Sequence, residues 1–85
     1  MYLEIITPDE KVFEGEVISA TLPGSDGSFQ LLNDHASMVS SLGGGDVKLV
    51  EERDKKTKES HIQITGGVVE VVNNKVLVLA ESIVT

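Results

Sequence analysis

Apolar residues along this chain recur at every second position rather than every third or fourth, and that period confines it to β-strands. Leu3, Ile5 and Thr7 alternate with Glu4 and Ile6, Val47 and Leu49 with Asp46 and Lys48, and Ile62 and Ile64 with His61 and Gln63. Turn-forming clusters separate these runs at TPDE (7–10), PGSDG (23–27), LND (32–34), GGGD (43–46) and NN (73–74). Their spacing of about eight to twelve residues predicts an all-β fold, a flattened antiparallel β-sandwich or barrel forming one domain over residues 1–85. The best helical candidate, HASMVSSL (35–42), is short, holds serines and a β-branched valine, and stops at three glycines, so no helix is expected.

Two strands break the alternation. In KVFEGEVISATL, Phe13 and Val17 share one parity while Ile18, Ala20 and Leu22 share the other, so the apolar face changes sides between Val17 and Ile18. Such a shift marks a bulge or a strand passing from one layer to the next, and Gly15 eases the bend. In KVLVLA both parities are apolar: Val76, Val78 and Ala80 on one side, Leu77 and Leu79 on the other. Val68, Val69, Val71 and Val72 repeat this one hairpin earlier. A two-layer fold has one inside, so the second apolar face needs either a further layer or another protein. In 85 residues without a helix, another protein is the more economical cover, and Leu77 and Leu79 become candidate contacts.

Size and charge narrow the function. A chain of 85 residues hides only about 60% of its unfolded surface, which leaves little room for a large buried active site. The absence of cysteine excludes disulfides, thiolate-bound metals and thiol catalysis. The start, MYLEIITPDE, has no basic and apolar leader pattern, and no apolar run approaches the ~18 residues of a spanning helix, so a soluble chain is expected. With 14 acids against 7 bases the net charge is −7, the wrong sign for neutralising nucleic-acid phosphates. Four of those bases, Arg53, Lys55, Lys56 and Lys58, lie with four acids in EERDKKTKE (51–59), which reads as a solvated hairpin tip.

Catalytic patterns are weak. The serines sit in no G-x-S-x-G elbow, His35 and His61 have no paired-ligand spacing, and GGGD lacks the Lys-Ser/Thr of a phosphate loop. Asp34 beside His35 suggests a general base, against which stands the simpler reading of Asn33, Asp34 and His35 as a polar turn. With only Tyr2, Phe13 and Phe29 as rings, a stacking site for sugars or peptides is poorly furnished. The reading from another class is a swinging-arm carrier of the lipoyl or biotinyl type, modified at Lys55 or Lys56, although RDKKTK lacks the D-K-A or M-K-x setting of such lysines. No catalytic, cofactor-binding or metal-binding residue is expected.

The order of features resembles the N-terminal β-sandwich domain of the epsilon subunit of F-type ATP synthases, called delta in mitochondria. The resemblance is carried by LEIITPDEKVFEGEVISATLPGSDGSFQLLNDHASM, where the family shows an early strand, a v-f-x-G-x-v strand, G-S-D/E-G and then H-A. GGGDVKLV and ITGGVVEVVNNKVLVLAE continue it, the latter like i-x-G-G-x-x-E-V-x-x-n-x-V-x-V-L-A, so that residues 1–83 are covered. It implies a non-catalytic subunit at the foot of the rotating central stalk, coupling c-ring rotation to the gamma subunit at the cytoplasmic face of a bacterial inner membrane. The c-ring-facing loop carries over to Gly24, Ser25, Asp26, Gly27 and Ser28, and the gamma-facing segment to His35 and Ala36.

Three departures are visible. Ser28 stands where many members have Glu, which removes an acid from that loop. The segment from Gln30 to Ser37 has none of the family's prolines, which frees the unfolded chain there. The sequence ends at ESIVT, where the family usually continues into a two-helix hairpin able to bind ATP and brake hydrolysis, so a rotor subunit without that inhibitory arm is expected.

Overall fold

The computed structural model describes residues 1–84 and contains nine strands, with no helix among the described residues. In chain order they are β1 (Tyr2–Ile6), β2 (Lys11–Glu16), β3 (Ser19–Gly24), β4 (Gly27–Leu32), β5 (Met38–Leu42), β6 (Gly45–Arg53), β7 (Lys56–Ile64), β8 (Gly67–Val72) and β9 (Lys75–Ala80). They form one sheet in the order β2-β1-β9-β8-β5-β3-β6-β7, with β4 paired to β3 off that path. The two limbs meet thinly, since β5 and β3 share only the Gly24–Leu42 pair. The sheet curls about that seam, and Leu3, Ile5, Val69, Val71, Val76 and Val78 of one limb pack into the same core as Ala20, Leu22, Leu31, Val47, Leu49 and Ile64 of the other. The expected all-β sandwich or barrel is realised as one sheet curled so that its two limbs face each other across the core.

One pairing departs from the antiparallel expectation: β1 runs parallel to β9, Leu3 beside Val76 and Ile5 beside Val78. Its other neighbour, β2, is its hairpin partner, and the slot left on its far side is filled by the last strand running the same way. The phase shift at Val17–Ile18 is the passage from β2 in one limb to β3 in the other. Val17, Ala20 and Leu22 are buried, but Ile18, expected with them on the inner side, is 38% exposed. It lies in the crossing itself, where its N–H donates to the Val50 carbonyl and its side chain leaves the core.

The turns follow the predicted clusters. Asn73 and Asn74 both take positive φ (50° and 61°) between β8 and β9, the geometry of a hairpin turn twisted to suit its strands. Asp54 and Lys55 do the same at 51° and 65° between β6 and β7, which places EERDKKTKE at a hairpin tip. Within that tip Glu51 is only 8% exposed, its carboxylate accepting a bond from Arg53 Nη2 at 3.2 Å. At Gly67, φ is 154° and a Cβ would overlap the Leu79 carbonyl oxygen, so the backbones of β8 and β9 approach there as only glycine permits.

Candidate functional site

Strand direction sorts the chain's loops to two ends. The β3–β4 turn lies at one end, beside the β5–β6 connection: the Gly43 N–H donates to the Pro23 carbonyl at 2.8 Å, and Ser25 is tied to Ser41 through a 3.2 Å backbone bond and a 2.9 Å contact between hydroxyls. Gly24 and Gly27 pair across it, and a Cβ on Gly24 would lie 2.6 Å from the Gly27 carbonyl oxygen. The turn is thus tight and anchored, and it exposes Ser25, Asp26, Gly27 and Ser28.

His35 and Ala36 lie at the opposite end, in the β4–β5 connection. Asp34 has φ 61° and its N–H donates to Asn74 Oδ1 at 2.8 Å, which fastens this loop to the β8–β9 turn. The His35 N–H donates to the Leu32 carbonyl, and the ring Nδ1 meets the Ala36 carbonyl at 2.8 Å. That bond places the proton on Nδ1 and gives the imidazole a backbone partner in place of the Asp34 carboxylate, so the polar-turn reading describes this stretch.

The flank between the two ends is the outer face of β5, β8, β9, β1 and β2. Strand β9 turns Val76, Val78 and Ala80 inward and Leu77 and Leu79 outward, Leu77 half-buried and Leu79 45% exposed. Register extends the apolar surface sideways: Leu79 lies opposite Val68 and beside Ile6, while Leu77 lies opposite Glu70 and beside Glu4. Val39 of β5, 70% exposed, sits across from Glu70, and Val72 adds a further exposed methyl pair. His35 and Ala36 adjoin the near end of this flank rather than joining Leu77 and Leu79 on it.

A charged border runs along β1 and β2. Lys11 Nζ lies 2.9 Å from Glu4 and 3.2 Å from Glu14, and the Tyr2 hydroxyl donates to the Glu14 carboxylate. The Tyr2 bond first, then Lys11, holds Glu14 below the usual carboxylate range; the Glu14 bond raises the Tyr2 phenol, and Glu4, then Glu14, raise the Lys11 ammonium. Together Tyr2, Glu4, Glu14, Glu70, Val72 and Leu77 line a shallow, open groove. Such a surface suits contact with another macromolecule more than enclosure of a small substrate.

The other outer face, over β3, β6 and β7, is polar and holds a cluster that sequence reasoning missed. His61 Nδ1 lies 2.6 Å from Asp46 and its Nε2 2.7 Å from Glu59, with Lys48 Nζ 3.5 Å from Glu59. Its legible signal is the hairpin centre: a turn at Asp54–Lys55 sets Lys48 opposite His61 and Asp46 opposite Gln63. Lys55 occupies that turn and Lys56 opens β7, both exposed.

The model of the family described as ATP synthase, delta/epsilon chain, beta-sandwich domain matches residues 1–85. The ATP synthase epsilon chain of Sulfurimonas denitrificans is 43% identical over 82 residues, which cover 96% of this chain and 61% of that relative. That of Campylobacter concisus is 37% identical over 84 residues, 99% of this chain and 63% of the relative. That of Chlorobium limicola is 42% identical over 81 residues, 95% of this chain and 89% of the relative. The chain thus spans about three fifths of the Sulfurimonas and Campylobacter relatives. Among solved structures, a chain of the Tetrahymena thermophila mitochondrial ATP synthase central stalk and c-ring superposes with TM-score 0.80 at 20% identity, covering 98% of this chain and 64% of that one. A chain of the Euglena gracilis mitochondrial ATP synthase superposes at 0.83 and 24% identity, covering 96% and 51%. These two likenesses establish the fold; a lipoyl or biotinyl carrier gains no support from any of the comparisons.

Proposed function

The chain belongs to the ATP synthase delta/epsilon family through its beta-sandwich domain, and from that premise we propose that it is a non-catalytic subunit of the rotary central stalk, held between the gamma subunit and the c ring. The observation that carries this reading is the asymmetry of the two outer faces. Four of the large apolar side chains left exposed, Val39, Val68, Val72 and Leu79, share one flank on a chain of net charge −7, whereas the face over β3, β6 and β7 is polar, with the exposed Leu32 of β4 at its edge. Apolar surface gathered in this way favours burial against a protein partner. In this reading the flank, with Leu77 and Leu79, meets gamma, His35 and Ala36 border that contact, and the anchored turn Gly24, Ser25, Asp26, Gly27 and Ser28 meets the c ring. Their places at different ends support a subunit that touches two partners at once. The subunit lies peripherally at the cytoplasmic face of a bacterial membrane.

The work assigned here is mechanical. Torque between ring and gamma loads a stiff, closely hydrogen-bonded sheet, and what matters is contact area, on the order of 1,000 Å² or more, rather than a site for a transition state. The test is capture of the tagged chain from its native membranes with mass spectrometry of what it retains. Recovery of gamma with alpha and beta subunits is expected; retention of an unrelated complex in their place would overturn the reading.

A further inference from the structure

On the polar face of the β6–β7 hairpin, an imidazole is held by carboxylates on both of its nitrogens. Asp46 at the root of β6 meets Nδ1 at 2.6 Å, and Glu59 of β7 meets Nε2 at 2.7 Å. A neutral imidazole has one N–H and one lone pair, so it donates to only one of two such acceptors; the other would face a lone pair at hydrogen-bond distance. Both contacts are satisfied together only by the imidazolium. Lys48, directly opposite His61, lies 3.5 Å from Glu59, so the groups form a chain of alternating sign, Asp46, His61, Glu59, Lys48. Among the described residues the remaining neighbours in register are uncharged: Gln63 lies next along β7, and β3 presents Thr21 beside Lys48.

The location gives this chain leverage. Strand β7 is at the end of the sheet order and pairs with β6 alone among the described strands. Apolar cross-strand contact on the inner face fails along the hairpin, from Val47–Ile62 at the core to Leu49–Ser60 and then Glu51–Lys58. His61, on the outer face, lies at the level where that inner packing gives way to polar pairs, so side-chain bonds matter most for holding the strands beyond it.

We propose that His61 is a proton-operated clasp: protonated, it fastens Asp46 to Glu59 across the hairpin, and deprotonated it releases one of them and loosens residues 50–59. Asp46 first and Glu59 second hold the His61 pKa above its ordinary value, and His61 then Lys48 hold Glu59 below its own. A raised histidine pKa adds stability that is complete below the unfolded-state value and is lost as pH climbs through the folded-state value. The clasp therefore opens on the alkaline side. It does not depend on which partners the subunit binds.

The test is an NMR titration of the intact protein from about pH 5 to about pH 9, following the His61 imidazole nitrogens and the backbone amides of residues 50–59 together. The amides are expected to shift with the same midpoint as the ring. That midpoint should fall in an Asp46→Asn, Glu59→Gln variant, and the amide step should vanish in His61→Gln. Amides that ignore the ring's titration, or a midpoint unmoved by the double substitution, would overturn the clasp. All three positions are exposed, and the wild-type coincidence decides the matter if a variant folds poorly.

Discussion

At the scale of single residues, two environments lead to measurable outcomes. Glu14 accepts from the Tyr2 hydroxyl and pairs with Lys11, which lowers its pKa. A lowered carboxylate pKa supplies stability present above the unfolded-state value and lost as pH falls through the folded one. The Glu14 carboxyl resonance should therefore titrate below the usual glutamate range, and Lys11→Met should move its midpoint upward; no movement would mean the ion pair is absent in solution. Gly67 carries the second outcome. Its positive φ and the carbonyl of Leu79 leave no room for a Cβ, so Gly67→Ala should destabilise by about 3 kcal/mol in urea unfolding. Gly27→Ala, at φ 123° with open space around it, should lose about 1 kcal/mol. The close approach at Gly67 has a mark in the sequence, the paired glycines that precede the valines of β8. Asp46 as a partner of His61 is visible only once the hairpin register is known, because it is fifteen residues away.

At the scale of elements, alternation located most strands because a half-buried strand must expose every second side chain. It failed in two informative places. Strand β5 lay within a segment without a clear period, since Ser40 and Ser41 obscure the alternation of Met38 and Leu42 inward with Val39 outward. The exposed valine of that strand, part of the apolar flank, went unnoticed with it. The parallel alignment of β1 with β9 leaves no local trace, because no short turn joins them. Turn chemistry also shows a residue that the geometry resists. Lys55 is forced to φ 65° where glycine is favoured, so Lys55→Gly should stabilise the hairpin by about 1 kcal/mol, read as a higher denaturation midpoint with an unchanged slope. An unchanged or lowered midpoint would show that the turn relaxes in solution.

At the scale of the whole molecule, the proposed contact of the apolar flank with gamma predicts that folding and assembly respond separately to one substitution. Leu79 points outward at 45% exposure, so Leu79→Glu should leave the unfolding midpoint nearly as it was while weakening binding to gamma by about tenfold, or about 1.4 kcal/mol. Comparable losses of both would make this flank ordinary core. The same curled sheet places its first strand between the second and the last, and that order has a temporal side. Until residues 75–80 have emerged during synthesis, β1 has only β2 to lean on, and Val69 and Val71 lack the neighbouring strand that separates them from Leu3 and Ile5. Pairings this distant in sequence close slowly, in milliseconds to seconds. Chains halted before residue 75 should stay open to protease, and chains that include residues 75–80 should resist it. The emerging sheet thus keeps apolar strand faces uncovered until β9 reaches β1, the interval in which a nascent chain is most open to misassembly.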